Sequence, residues 1–166
     1  MLDTIGRYLQ GISNTKDGYF FQRILNPLGD RFSSQPLTSA GLVIKAGGGV
    51  LAKTGSNAFY AVANGVLVTI AGSTDMPSLA GINISAGAYN VACFFVDSAG
   101  ATTVLAGTQG ATLAAVQFPQ FPVNKALIGF LIITYASAFT GNTTPLDTAT
   151  TVYVSPLGAF DPTVKL

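Results

Sequence analysis

The residues able to act on a substrate or hold an ion are one cysteine, seven aspartates, eight lysines and arginines, and the serines; histidine is absent, as are glutamate and tryptophan. Acid–base and metal chemistry at neutral pH rest mainly on His, Glu and clustered carboxylates. A Ser-His-Asp or Cys-His pair cannot be assembled from this chain, and a Ser-Lys arrangement built on Lys53 or Lys125 has no serine spaced to partner either lysine. The aspartates show neither a D-x-D-x-D spacing nor an adjacent pair, so no metal site is expected; Asp97 and Asp147 read as turn residues that bond their own backbone. Cys93 lies in the apolar run Ala92-Cys93-Phe94-Phe95-Val96, the setting of an inert buried thiol. The triplet Gly47-Gly48-Gly49 invites comparison with a phosphate cradle. Such a loop opens a helix, whereas Val50-Leu51-Ala52-Lys53 continues in strand pattern. Asn83-Ile84-Ser85 and Asn142-Thr143-Thr144 match the glycosylation acceptor pattern, with no secretory signal to support it. The inventory describes a structural or binding protein without catalytic residues or cofactor.

Bulk properties narrow the partners. A formal charge of +1 and the lack of any Lys/Arg run give no electrostatic basis for nucleic-acid binding. Mean hydropathy is high at +0.49. Yet the longest apolar stretch, residues 126–139, is interrupted by Gly129, Thr134, Tyr135 and Ser137 and is shorter than the roughly 18–20 residues of a spanning helix, so no membrane partner is expected. Sparse charge on so apolar a chain leaves its solubility to uncharged polar groups or to burial in a larger assembly.

The elements that must position any working surface are strands. Short β-type runs fall at 42–46, 50–53, 58–62, 66–70, 88–96, 101–105, 113–118, 126–135 and 151–155. Asn64-Gly65 is a strong hairpin signal because both residues accept positive φ, and Asp97-Ser98-Ala99-Gly100 marks a second hairpin with Gly in the left-handed position. A single helical turn is expected over 75–79, where Asp75 would cap and Pro77 enter the first turn, and another over residues 4–9. The strip Phe118-Pro119-Gln120-Phe121-Pro122 reads as a rigid connection between two sheets, or as a recognition strip. The expected fold is all-β: an antiparallel β-sandwich or jelly roll of about eight strands, residues 41–166, preceded by an irregular N-terminal arm, residues 1–40. Arms that remain disordered are poor in aromatics, and this one carries several; it is expected to order against a partner or a neighbouring subunit.

The segments Asn90-Val91-Ala92-Cys93-Phe94-Phe95-Val96-Asp97-Ser98-Ala99-Gly100, Gly110-Ala111-Thr112-Leu113-Ala114-Ala115-Val116, Lys125-Ala126-Leu127-Ile128-Gly129-Phe130 and Pro156-Leu157-Gly158-Ala159-Phe160-Asp161-Pro162, with the Phe-Pro strip between them, resemble virion proteins of tailed bacteriophages, specifically capsid decoration (cement) or head-fibre proteins. The resemblance spans residues 41–162. It implies a homotrimeric β-sandwich or jelly roll seated on the exterior of a capsid, partnered by the major capsid protein and assembled in the host cytoplasm. The arm residues Arg7, Tyr8, Tyr19, Phe20, Phe21, Arg23, Arg31 and Phe32 would then be its anchors to capsid or subunit, because interface energy concentrates on aromatic and Arg side chains. The alternative is a fibre module that adheres to host-surface carbohydrate through loops 72–83 and 140–148, with Tyr60, Tyr89 or Tyr135 stacking on sugar in place of Trp.

Overall fold

A computed structural model describes residues 33–163 and 166. The eight candidate anchors, Arg7 to Phe32, and the turn expected at 4–9 lie outside the described residues. Eleven strands form among them: β1 (Gln35–Pro36), β2 (Val43–Ile44), β3 (Ala52–Lys53), β4 (Phe59–Ala63), β5 (Val66–Ile70), β6 (Asn83–Ile84), β7 (Tyr89–Val96), β8 (Thr102–Ala106), β9 (Ala126–Thr134), β10 (Phe139–Thr140) and β11 (Thr150–Val154). All pair antiparallel. Two sheets build the sandwich, one of three strands in the order β1-β4-β5 and one of four in the order β11-β9-β7-β8; β2-β3 and β10-β6 are two-stranded ribbons.

The two hairpins form at the residues that favour them. Asn64 (φ 51°) and Gly65 (φ 74°) take the left-handed turn between β4 and β5, and Gly100 (φ 82°) does so between β7 and β8. Asp97 Oδ1 accepts the N–H groups of Ala99 and Ala101, both at 3.0 Å, fixing the second turn from within.

Alternation sorts β4 and β5 cleanly. Phe59, Ala61 and Ala63 with Val68 and Ile70 face inward, against Ala92, Phe94 and Val96 of β7 and Ala126, Ile128, Leu131 and Ile133 of β9. In β7 the alternation disappears because both faces are covered: Val91, Cys93 and Phe95 point the other way, into a second core with Val116, Leu127 and Phe130. Opposite the Phe94/Phe95 step the register of β9 jumps from Gly129 to Leu127, leaving Ile128 as a bulge. Ile128 still reaches the inner core, and Gly129 beside it lies where a Cβ would come within 2.7 Å of Leu42 Cδ1.

Strands β8 and β9 both run antiparallel to β7, hence parallel to one another, so the chain between them must cross over β7. The Phe-Pro strip belongs to this crossover. It joins two strands of one sheet, not two sheets, and lies on the sheet's outer face. The strand expected at 113–118 is instead a 3-10 turn at Leu113–Ala115 followed by extended chain. The helical turn expected at 75–79 does not form, because the backbone there is engaged by β3: Thr54 donates to the Thr74 carbonyl and Met76 to that of Ala52, each at 2.9 Å. The compact unit begins at Ser33 and not at Gly41, since β1 pairs with β4 and Ala40 is buried in the inner core.

Candidate interaction surfaces

The outward positions of the three-stranded sheet carry Leu37, Tyr60, Val62 and Leu67. Leu37 extends β1 through its 2.9 Å hydrogen bond to the Tyr60 carbonyl. Leu37, Tyr60 and Leu67 are 48%, 41% and 63% exposed, a side-by-side apolar set on a face that would ordinarily be polar. The sequence carries only part of this signal: Phe59-Tyr60-Ala61-Val62-Ala63 is apolar at both parities, as β7 is, and the pairing of the sheets decides that the second face is covered in β7 and open in β4.

A second surface gathers at one end of the sandwich. Pairing of β6 with β10 places Thr140 opposite Asn83 and brings loops 72–83 and 140–148 together. Gly141 donates to the Ile82 carbonyl at 2.8 Å, and Leu79, Met76, Phe139 and Leu146 are buried beneath. The glycine triplet joins this end. Its Gly48 N–H donates to Asp147 Oδ2 at 2.6 Å, and Leu146 N–H donates to the Gly49 carbonyl at 2.9 Å. Asp147 therefore caps a loop remote in sequence, where bonding to its own backbone was expected. A triplet whose N–H is held by a carboxylate is a structural clasp. Lys45 and Asp75 form an exposed ion pair at the same end. The surface is otherwise Ser, Thr, Asn and Gly, with Asn83 and Asn142 of the two acceptor patterns both exposed.

A third surface is the cover of the outer core. Phe118 meets Phe130, Phe160 and Phe121 edge-on at centroid separations of 5.0, 5.2 and 6.2 Å, and Phe121 packs edge-on to Phe95 at 5.1 Å. Beside it, Ala114, Val116, Phe118, Pro162 and Thr163 line a shallow cleft of about 400 Å³ without a charged group.

The residues weighed for chemistry are dispersed. Cys93 is fully buried in the aromatic core, and burial pushes its thiol far above the ordinary range. Lys125 Nζ donates to Thr103 Oγ1 at 3.3 Å. No cluster of three or more Cys or Asp side chains placed to hold a metal occurs among the described residues, and no helix there is long and apolar enough to cross a membrane. Of the three tyrosines considered for stacking, Tyr60 is exposed on the sheet face, while Tyr89 and Tyr135 are half-buried against the outer and inner cores respectively. Comparison with family models, curated proteins and solved structures finds no match to this chain.

Proposed function

We propose that this chain is a non-enzymatic virion structural protein that binds the outer surface of a phage capsid and reinforces it as a decoration protein, with the major capsid protein as partner. The observation that carries the reading is the placement of its exposed apolar side chains. Three of them, Leu37, Tyr60 and Leu67, lie side by side on the outer face of the three-stranded sheet, and not around a concavity lined by ionisable groups. A protein that works by covering another surface needs such a face, whereas one that transforms a small molecule needs convergent polar groups in a pocket. The motif resemblance and the low charge agree with it. A homotrimer would multiply weak individual contacts through effective concentration.

Cryo-electron microscopy of virions that contain the chain tests this. Density on the capsid exterior at local three-fold positions is expected; density on the tail, or none, overturns the reading. Removing residues 1–40 should abolish capsid binding if Arg7, Tyr8, Tyr19, Phe20, Phe21, Arg23, Arg31 and Phe32 anchor it, although residues 33–40 also contribute β1, so deletion of 1–32 is the cleaner variant.

A second reading, adhesion to host-surface carbohydrate, draws on the convergence of loops 72–83 and 140–148 into one polar end. Glycan-array binding that is lost on substituting Asn83 and Asn142 would favour it.

A further inference from the structure

The outer face of the four-stranded sheet is closed by two segments that belong to no sheet. One is the Phe-Pro crossover. The other is the chain after β11, which begins where Pro156, lacking an N–H, cannot extend the ladder. Leu42 N–H donates to Ser155 Oγ at 2.9 Å, fixing the point of departure, and Gly158 (φ 69°) donates to the Pro36 carbonyl at 3.0 Å. Along residues 156–163 the even positions are half-buried and the odd positions exposed, the two-residue period of an extended chain, yet the segment pairs with no strand. None of these residues is fully buried.

Phe160 is the anchor. Its ring lies 5.2 Å from Phe118, 5.4 Å from Phe130 and 6.1 Å from Phe121, stacked on the last at 18°. Beyond it the fit is incomplete: the cleft of about 400 Å³ is lined by Pro162 and Thr163 of this segment and by residues 114–118 of the crossover, so the two covers do not close against each other. Side chains across such a gap forgo the dispersion contacts of a packed interior. Asp161 Oδ1 accepts the Thr163 N–H at 3.0 Å and its hydroxyl at 2.8 Å, so this end carries its own turn. Strands β7 and β9, by contrast, are laddered over eight residue pairs with both faces of β7 covered.

We propose that residues 156–163 form a detachable strap, which lifts off as a unit while both sheets stay folded and so uncovers an aromatic seat made by Phe118, Phe121 and Phe130. The free energy of a local opening follows the apolar contact and backbone bonding it gives up. The strap gives up one anchoring ring and its bond to Pro36, whereas opening the sheets gives up ladders and two cores. Phe121, edge-on to Phe95 at 5.1 Å, stays in place, and Cys93 in the core below remains shielded.

Native-state hydrogen exchange of the full chain, followed by NMR, tests this. The Gly158 amide is expected to exchange at least about tenfold faster than the slowest β7 amides. Ile133→Val, a conservative change in the inner core, should speed the β7 amides roughly two- to tenfold and leave Gly158 unchanged, because the strap opens without that core. Phe160→Ala should speed Gly158 by on the order of tenfold and induce binding of an apolar fluorescent dye, with the circular dichroism spectrum retained. Should Phe160→Ala fail to fold, Phe160→Leu decides, in the same direction and by a smaller factor. A Gly158 rate that matches β7, or that follows Ile133→Val, means the segment opens only with the whole molecule and overturns the proposal. A Gly158 rate indifferent to Phe160 overturns it too, since a single bond is then breaking and no strap is released. The inference goes beyond the capsid reading, and the two fail separately: a strap that opens on a chain absent from virions rejects only that reading.

Discussion

Asp147 Oδ2 accepts the Gly48 N–H at 2.6 Å across 99 residues of sequence, locking the glycine triplet to the loop that follows β10. The bond is charge-assisted but exposed, so its contribution is modest. Asp147→Ala should lower stability by about 1 kcal/mol, a fall of roughly 2–4 °C in Tm, measured by calorimetry. Asp147→Asn, which keeps an acceptor, should recover most of it.

Gly141 admits no side chain. A methyl there would overlap the Leu79 carbonyl and approach that of Ile82, both backbone atoms that cannot swing aside. Gly141→Ala should destabilise by about 1–3 kcal/mol or more and loosen both loops of the polar end, read as faster amide exchange at Ile82 and Gly141.

Phe118 is the hub of the outer aromatic cover, in contact with Phe121, Phe130 and Phe160. Because it is half-buried, Phe118→Ala should cost about 2–3 kcal/mol, somewhat less than the full range for a core phenylalanine. Denaturant midpoints of wild type and variant check this, with Phe118→Leu intermediate.

Thr151 Oγ1 is buried without a hydrogen-bond partner among the described residues. An unsatisfied hydroxyl is penalised, and valine keeps the β-branched shape. Thr151→Val should therefore raise stability by about 1 kcal/mol; a loss of stability would show that the hydroxyl has a partner after all.

Cys93 should resist thiol reagents in the native state and react on unfolding. Its raised native pKa also fixes a pH dependence. The unfolded thiol ionises near 9.0 while the native one keeps its proton, so the unfolded state binds fewer protons and stability falls as pH rises above that value, by up to about 1.4 kcal/mol per pH unit from this group. Tyr153, raised by burial and then by the Asp147 charge, acts in the same direction at higher pH. Cys93→Ala should be less stable at pH 7 yet show a shallower alkaline decline, measured as Tm from pH 7 to 10.

Local chemistry was legible in the sequence wherever a single residue type limits the backbone. Asn64-Gly65 and Asp97 to Gly100 announced their hairpins, and the alternating and apolar runs announced an all-β sandwich, because positive φ and the two-residue period are properties of the chain itself. The buried Cys93 belongs with them, since its apolar neighbours already specified its surroundings. Tertiary structure alone decided what depends on partners distant in sequence. The two-residue strands β1, β6 and β10 are too short for a periodic signal and exist only because β4 and each other supply the pairing. The run Leu113 to Phe118 has strand-like composition, but it lies in the connection that must pass over β7 from β8 to β9, and there it forms a 3-10 turn and extended chain covering the outer core. Asp147 took Gly48 instead of its own turn, and the exposed apolar face followed from which parity of β4 turned inward. A long-range pairing is chosen by the free energy of the whole packed arrangement, and no window of sequence contains both of its halves.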